Sequence, residues 1–326
     1  MRERRSLFPR ALAAALACAC AAGATLAADA YPSKPIRLII PFPPGGSNDV
    51  VGRVIATHLG ERLGQQVVVD NRGGAGGVIG TEIASKTAPD GYALLFISSA
   101  FASNSALYKL PFDPVKAFVP VAMIAAGPNV LAAPPNLPVN SVMDLIALAK
   151  QKPGQLNYSS AGIGSFQHLG GALFVSMTRI EVVHVPFKGG GPAMVDVIAG
   201  NTQIMLSSLV QTLPHIKAGR LKALGVGGLK RSPTVPEVPT IAEAGVPGYE
   251  AINWWGIIAP AGTAAAIVSR LHRALGAVVQ SPEMQKRFES EAVEAVQMST
   301  AEFGQYIDKE TVKWARVVKE AGIKAE

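Results

Sequence analysis

Ile36-Arg37-Leu38-Ile39-Ile40-Pro41-Phe42-Pro43-Pro44-Gly45-Gly46-Ser47-Asn48-Asp49 is the stretch on which the reading of this chain turns. An apolar run of strand length stops at a Pro/Gly-rich turn. Three polar residues of helix-capping type follow, and Val50, Val51, Val54, Ile55 and Leu59 then recur at helical spacing. Strand, tight loop and helix start in this order make an anion site. The first N–H groups of a helix have no internal partner, and the aligned peptide dipoles favour negative charge there. Gly45 and Gly46 let a ligand approach the main chain without a Cβ in the way. Two readings stand side by side: half of a binding site for a small carboxylate, or an ordinary strand-to-helix loop in which Ser47 or Asp49 caps its own helix.

Working outward, the same unit recurs. Residues 66–70 read as a second buried strand, followed by a glycine run and a helical pattern over residues 78–88. The run is no dinucleotide fingerprint: counting from Gly74 and Gly76, the third glycine of G-x-G-x-x-G falls at Ile79. Residues 93–98 form a third strand tipped by Ser98-Ser99. Strands alternating with helices predict an α/β fold with a parallel sheet covered on both faces, and ligands in such sheets bind beyond the carboxyl ends of the strands. Residues 118–126 and 130–133, broken by Gly127-Pro128-Asn129, are expected to cross into a second domain. The strand-like stretch 249–258, with Trp254-Trp255 at its centre, is expected to return. Helices are expected at 141–150, 193–199 (with Pro192 at its first position), 213–218, 241–244, 264–279, 282–291 and 300–321.

A second informative loop spans Ala161-Gly162-Ile163-Gly164-Ser165-Phe166-Gln167-His168. It repeats strand, glycine turn, hydroxyl and helix start. The competing function class is an exported hydrolase using Ser165 with His168. The nucleophile elbow wants G-x-S-x-G, yet Gln167 stands where the second glycine belongs, and His168 is close in sequence for a partnering base. His184, Asp196 and His215 lack metal-ligand spacing and read as structural.

The N-terminus sets the compartment. Arg2, Arg4, Arg5 and Arg10 precede an uncharged, alanine-rich run that ends in Ala28-Asp29-Ala30, the pattern of a secretory signal peptide (residues 1–30) cleaved near Ala30. Both cysteines, Cys18 and Cys20, fall inside it, so the expected mature protein has no disulfide or thiol chemistry. The net charge of +7 includes those four arginines against Glu3 and Asp29, leaving about +5 on the rest. Lys and Arg are scattered and aromatic residues make up 6%, which argues against nucleic acid. No cofactor and no metal site is expected.

These residues together resemble one family. Tyr31-Pro32, Pro41-Phe42-Pro43-Pro44-Gly45-Gly46 with Asp49, Asn71-Arg72 with Gly74-Ala75-Gly76-Gly77, and Pro89-Asp90-Gly91-Tyr92 carry the first part of the likeness. Leu156-Asn157-Tyr158, Gly162 with Gly164-Ser165 and His168-Leu169, His184-Val185-Pro186-Phe187-Lys188-Gly189, Ala259-Pro260-Ala261-Gly262-Thr263 and Lys313-Trp314 carry the rest. The chain is similar to the substrate-binding proteins of tripartite tricarboxylate transporters, the Bug proteins. The resemblance implies a periplasmic-binding-protein-like (Venus flytrap) fold: two α/β lobes with parallel-rich sheets, residues 31–128 with 253–326 and residues 129–252, joined by two crossing strands. It further implies a monomeric receptor that closes on a small organic acid and is recognised by membrane transporter subunits or a sensor kinase. Relatives hold one carboxylate through main-chain amides and waters at two strand–helix loops. Carried over, these are Phe42, Pro43, Gly45, Gly46, Ser47, Asn48 and Asp49 in the first lobe, and Ser160, Gly164, Ser165 and His168 in the second. Ser98, Lys188 and Ser207 are implied at the far end of the ligand. Ser207 stands where many relatives carry aspartate, which favours a ligand without an amine; Gly73 replaces a common proline.

Overall fold

The computed structural model describes residues 31–324, so the leader expected at residues 1–30 lies outside the described residues. Strand β1 (Ile36–Ile40) carries four side chains that are fully buried, Ile36, Leu38, Ile39 and Ile40, as a strand covered on both faces requires. Helix α1 (Ser47–Leu63) follows and stops at Gly64, whose φ of 68° is the left-handed end that glycine supplies without strain. Then come β2 (Val67–Asn71), a 3-10 turn (Ala75–Gly77), α2 (Val78–Ser85), β3 (Ala93–Ser98) and α3 (Ser99–Leu107). β4 (Phe118–Ala133), α4 (Val142–Gln151), β5 (Leu156–Ser160), α5 (Phe166–Thr178), β6 (Val182–Pro186), α6 (Gly190–Ala199), β7 (Ile204–Ser208), α7 (Leu209–Lys217) and β8 (Lys222–Val226) continue the chain. It ends with β9 (Ile252–Pro260), α8 (Ala265–Val279), α9 (Pro282–Ser290), β10 (Glu294–Ala295) and α10 (Thr300–Glu320).

The sheet runs β2-β1-β3-β9-β4-β7-β5-β6, with β10 and β8 also paired to β4. Its two ends are parallel (β2-β1-β3 and β7-β5-β6), while β9 and β4 run antiparallel through the middle. The architecture is therefore mixed α/β, parallel in each half and antiparallel where the chain crosses. β4 does the crossing as one continuous 16-residue strand, not as two runs separated by a break. Its first part pairs with β9 as far as Pro128, opposite Ile252; from Asn129 on it pairs with β7. Pro128 has no N–H to donate, and it sits where β4 exchanges one partner for the other. The return passes the same spot: Asn129 N–H donates to Ala251 O (3.2 Å), Ala251 N–H to Gly227 O (2.8 Å), and Gly227 N–H to Asn129 O (2.8 Å).

Alternation on the strands builds the core on both faces. Leu94 and Phe96 of β3 join Leu38, Ile40, Trp255 and α8 on one face; Leu95 and Ile97 join Ile39, Trp254, Phe303 and Trp314 on the other. Trp254 and Trp255 are wholly buried and point in opposite directions, one indole N–H reaching Glu310 of α10 (3.1 Å), the other Asn48 of α1 (2.8 Å). Truncating either to alanine would cost about 3–5 kcal/mol.

Several expectations change. β2 is a partly exposed edge strand because it has a neighbour on one side only. α2 stops at Ser85, short of residue 88. α3 and the start of α7 were not legible: Ser99-Ala100-Phe101-Ala102-Ser103-Asn104 lacks an amphipathic stripe, and Pro214 inside α7 hides its first turn. Residues 241–244 are a single turn rather than a helix, and Pro192 is the third residue of α6, not the first. α10 opens on a reciprocal cap: Ser299 Oγ accepts the Glu302 N–H, and the Glu302 carboxylate accepts the Ser299 N–H.

Candidate functional site

The carboxyl ends of β1 and β3 on one side, and of β5 and β6 on the other, meet at a narrow, nearly shut cleft of about 10 Å³, room for about one water. The first half contributes Phe42, Gly46, Ser47, Asn48 and Ser98. The second half contributes Ala161, Phe166, Gln167 and Gly190, and Asn253 enters from the crossing strand β9. None of these side chains is charged. Among the described residues no cluster of three metal-ligating side chains occurs.

Helix starts dominate the cleft. α1 begins after Gly46, whose extended φ/ψ (−88°, 170°) is that of a capping residue without a side chain to do the capping. The N–H groups of Ser47 and Asn48 find no partner among the described residues, while Asp49 and Val50 donate back to Gly46 O (both 3.0 Å). α6 begins after Gly189, again with no side-chain cap. The two starts face each other: a Cβ placed on Gly46 would lie 3.7 Å from the Gly190 main-chain nitrogen, and one on Gly45 would lie 3.8 Å from Gly191 Cα. Pro43 wedges between Gly73 and Gly189, where a Cβ would come within 2.6 Å and 2.9 Å of its ring. α3 is the third start, after Ser98, whose hydroxyl makes no cap. Two uncapped helix starts within van der Waals reach of each other place partial positive charge on both walls of one cleft, with no anion from the protein between them.

α5 is built differently. Ser165 Oγ accepts the His168 main-chain N–H (3.3 Å), so this helix is capped by its own serine. His168 Nδ1 accepts the Gly164 N–H (3.1 Å), which leaves the proton on Nε2. Its ring stacks on His184 (centroids 4.0 Å apart, planes within 8°), which stacks in turn on Tyr158 (4.8 Å). Burial pushes His168 down to about 4; burial and the neighbouring His168 push His184 down to about 3. Both imidazoles are neutral at pH 7. Ser165 and His168 therefore meet through a main-chain N–H and not as nucleophile and base, and the Ser165 side chain is inaccessible.

The remaining sequence-derived residues divide. Phe42, Gly46, Ser47, Asn48 and Ser98 lie in the cleft, although Asn48 Oδ1 is held by the Trp255 indole. Gly45, at φ 86°, makes the turn that glycine permits. Asp49 faces its own loop: its carboxylate accepts Gly45 N–H (3.1 Å), Arg53 Nε (2.9 Å) and Asn71 Nδ2 (2.9 Å). Burial pulls its pKa up, and those hydrogen bonds with the Arg53 charge outweigh it, leaving Asp49 below the usual carboxylate value. Ser160 Oγ turns to His184 Nε2 (2.6 Å) and the Gly162 N–H (3.1 Å). Ser207 stands one layer back, its hydroxyl donating to Gln211 Oε1 (3.2 Å) and accepting from Gln167 Nε2 (3.4 Å). Lys188 is exposed and does not line the cleft: the turn before α6 presents Gly189–Gly191 inward and leaves the lysine outside. Sequence reading missed Gln167, Gln211, Gly190 and Asn253. Gln211 Nε2 holds Gly190 O (2.8 Å), fixing the α6 start. The glycine turn before α6 was visible; its position opposite Gly46 was not.

Two parallel sheet halves joined by crossing strands, with paired helix starts at the junction, are the frame that the comparisons with known proteins place in a family. The family described as TctC, tripartite tricarboxylate transporter family receptor, matches residues 51–323. The chain belongs to this receptor family, which includes the Bug proteins. Protein BugT of Bordetella pertussis (strain Tohama I) is 40% identical over 304 residues, covering 92% of this chain and 93% of that one. Among solved structures, R. palustris Rpa4515 with adipate superimposes with a TM-score of 0.88 at 36% identity, covering 90% of this chain and 99% of that one. MatC from Rhodopseudomonas palustris with bound malate gives a TM-score of 0.85 at 29% identity, covering 88% and 100%. Among the described residues no helix is long and apolar enough to cross a membrane.

Proposed function

We propose that this chain is a periplasmic, non-enzymatic receptor that captures a small organic acid between two lobes, residues 31–128 with 253–326 and residues 129–252. The liganded form is then presented as a monomer to the membrane subunits of a tripartite tricarboxylate-type transporter or to a sensor kinase. The observation that carries the reading is the pair of uncapped helix starts, α1 at Gly46 and α6 at Gly189, facing each other across an uncharged cleft. An anion placed between them accepts N–H groups from both lobes at once. Its binding free energy is realised only when the lobes are shut, so it shifts the population toward the closed form. The three-way hydrogen-bond triangle of Asn129, Gly227 and Ala251, where both crossings pass, is the natural hinge. Charge-assisted hydrogen bonds of about 1.5–3 kcal/mol each support micromolar binding, which corresponds to about −8 kcal/mol. Adipate and malate, bound by two relatives, are the first acids to try.

The test is a thermal-shift screen of the mature protein against small organic acids, each paired with its neutral amide. A stabilising acid at a hundred times its Kd should add about 2.7 kcal/mol to the unfolding free energy, and its amide should add almost nothing. Equal stabilisation by the neutral amides, or release of a product from the stabilising acid, contradicts the proposal.

A further inference from the structure

The receptor reading accounts for one carboxylate at the facing helix starts. A different wall of the cleft, made by the tip of β3 and by β9, carries polar groups that this carboxylate does not explain. Asn253 is 1% exposed and lines the cleft. Its Oδ1 accepts the hydroxyl of the fully buried Ser99 (2.6 Å), which turns Nδ2 toward the cavity, where it meets no partner among the described residues. Ser98, 3% exposed and also lining the cleft, has a hydroxyl that neither caps α3 nor bonds elsewhere among the described residues. Both polar atoms still reach solvent at the cleft wall, so a ligand oxygen can take the place of the water that meets them there.

The position of Asn253 is not accidental to the strand. Successive β9 residues alternate faces, and the flanking tryptophans hold the register: the Trp254 indole to Glu310 behind the sheet, the Trp255 indole to Asn48 at the α1 start. A slip by one residue would take Asn253 out of the cleft. Asn253 of β9 also pairs with Gly127 of β4, so it stands where the two crossing strands run side by side.

Resting on the receptor reading, we infer that Asn253, oriented by Ser99 and assisted by Ser98, is a specificity-determining residue that hydrogen-bonds a second acceptor oxygen of the ligand. The ligand class is an acid with a second carboxylate, hydroxyl or keto oxygen and with no ammonium group. An ammonium would be buried against donors, in a cleft whose lining offers it no carboxylate. Sites built to bond a polar substrate group reject analogues lacking it far more strongly than apolar pockets reject a missing methylene.

The test titrates the mature protein calorimetrically with straight-chain dicarboxylates of four to seven carbons and the matching monocarboxylates, and with malate against aspartate. The wild type should prefer its best diacid over the monoacid by tenfold or more, and malate over aspartate by a similar margin. Asn253→Ala should bring the diacid/monoacid ratio toward one by weakening the diacid while leaving the monoacid within about threefold. Ser98→Ala should do so in part, and Ser99→Ala, which removes only the orienting hydroxyl, should weaken the diacid and spare the monoacid. Asn253→Asp should lower diacid affinity and raise that for aspartate. A wild-type ratio near one, or unchanged ratios in folded Asn253→Ala and Ser98→Ala, overturns this inference and leaves the receptor reading standing. Binding of no acid at all overturns both.

Discussion

The starts of α1 and α5 look alike in sequence, each a glycine turn, a serine and a helix, and they are capped differently. At α5 the serine takes the His168 N–H and the nearby histidine takes the Gly164 N–H, while the Phe166 and Gln167 N–H groups find no partner among the described residues. At α1 the capping position is Gly46, the acidic residue is turned back onto Gly45, and the Ser47 and Asn48 N–H groups, on residues that line the cleft, find no partner among the described residues. Opposite α1 stands not α5 but α6, with the same lack of a cap. A glycine–serine motif before a helix thus does not by itself say whether the serine will cap that helix or leave the capping position to glycine. The α1–α6 pair is the candidate anion clamp, and Phe166 and Gln167 at the α5 start line the same cleft.

The most severe way to break this contrast is to make α1 resemble α5. Gly46→Asp places a favoured capping carboxylate at the α1 start, in ordinary contact distance of Gly190. Acid binding should fall a hundredfold or more in calorimetric titration while the unliganded protein is unharmed or gains a few tenths of a kcal/mol, on the order of the usual Gly-to-Asp capping difference. Asp49→Ala removes the acceptor that shapes the loop: about 1–2 kcal/mol of unfolding free energy should go, read by urea titration, with roughly tenfold weaker acid binding. Ser165→Ala should cost about 1 kcal/mol of stability through the lost cap yet leave acid affinity within about threefold, measured on the same preparation.

The smallest effect concerns pH. His168 and His184 sit near 4 and 3 in the folded protein, against about 6.5 when unfolded. Below pH 6.5 the unfolded chain therefore takes up protons that the folded chain refuses, and stability declines as pH falls from about 6.5 toward 4; above 6.5 this contribution is complete and flat. Urea titrations at pH 7, 5.5 and 4.5 should show the decline, and His184→Phe, which keeps a ring in the stack, should make it shallower.

Local order was legible where local chemistry sets it. β1 with its loop and α1, and strand β3, follow from apolar runs and turn residues. The long strand β4 was read as broken because Gly127-Pro128 signals a turn, whereas that pair marks a change of strand partner, which only the assembled sheet reveals. Phe42, Gly46, Ser47, Asn48 and Ser98 were found because strand tips share one rim. Asn253 was missed for a physical reason: an asparagine inside a strand carries no local signal, and it reaches Ser99 across 154 positions of sequence. Lys188 was placed at the far end of the ligand through the family resemblance, whereas in this structure it is exposed and does not line the cleft.

The most direct measurement is a crystal structure of the mature protein with a bound acid, adipate first. The account predicts a carboxylate within hydrogen-bonding distance, directly or through one water, of the Ser47 or Asn48 N–H on one side and the Gly190 or Gly191 N–H on the other. A carboxylate seated on the Ser165–His168 turn, or bound without contact to α6, would contradict it.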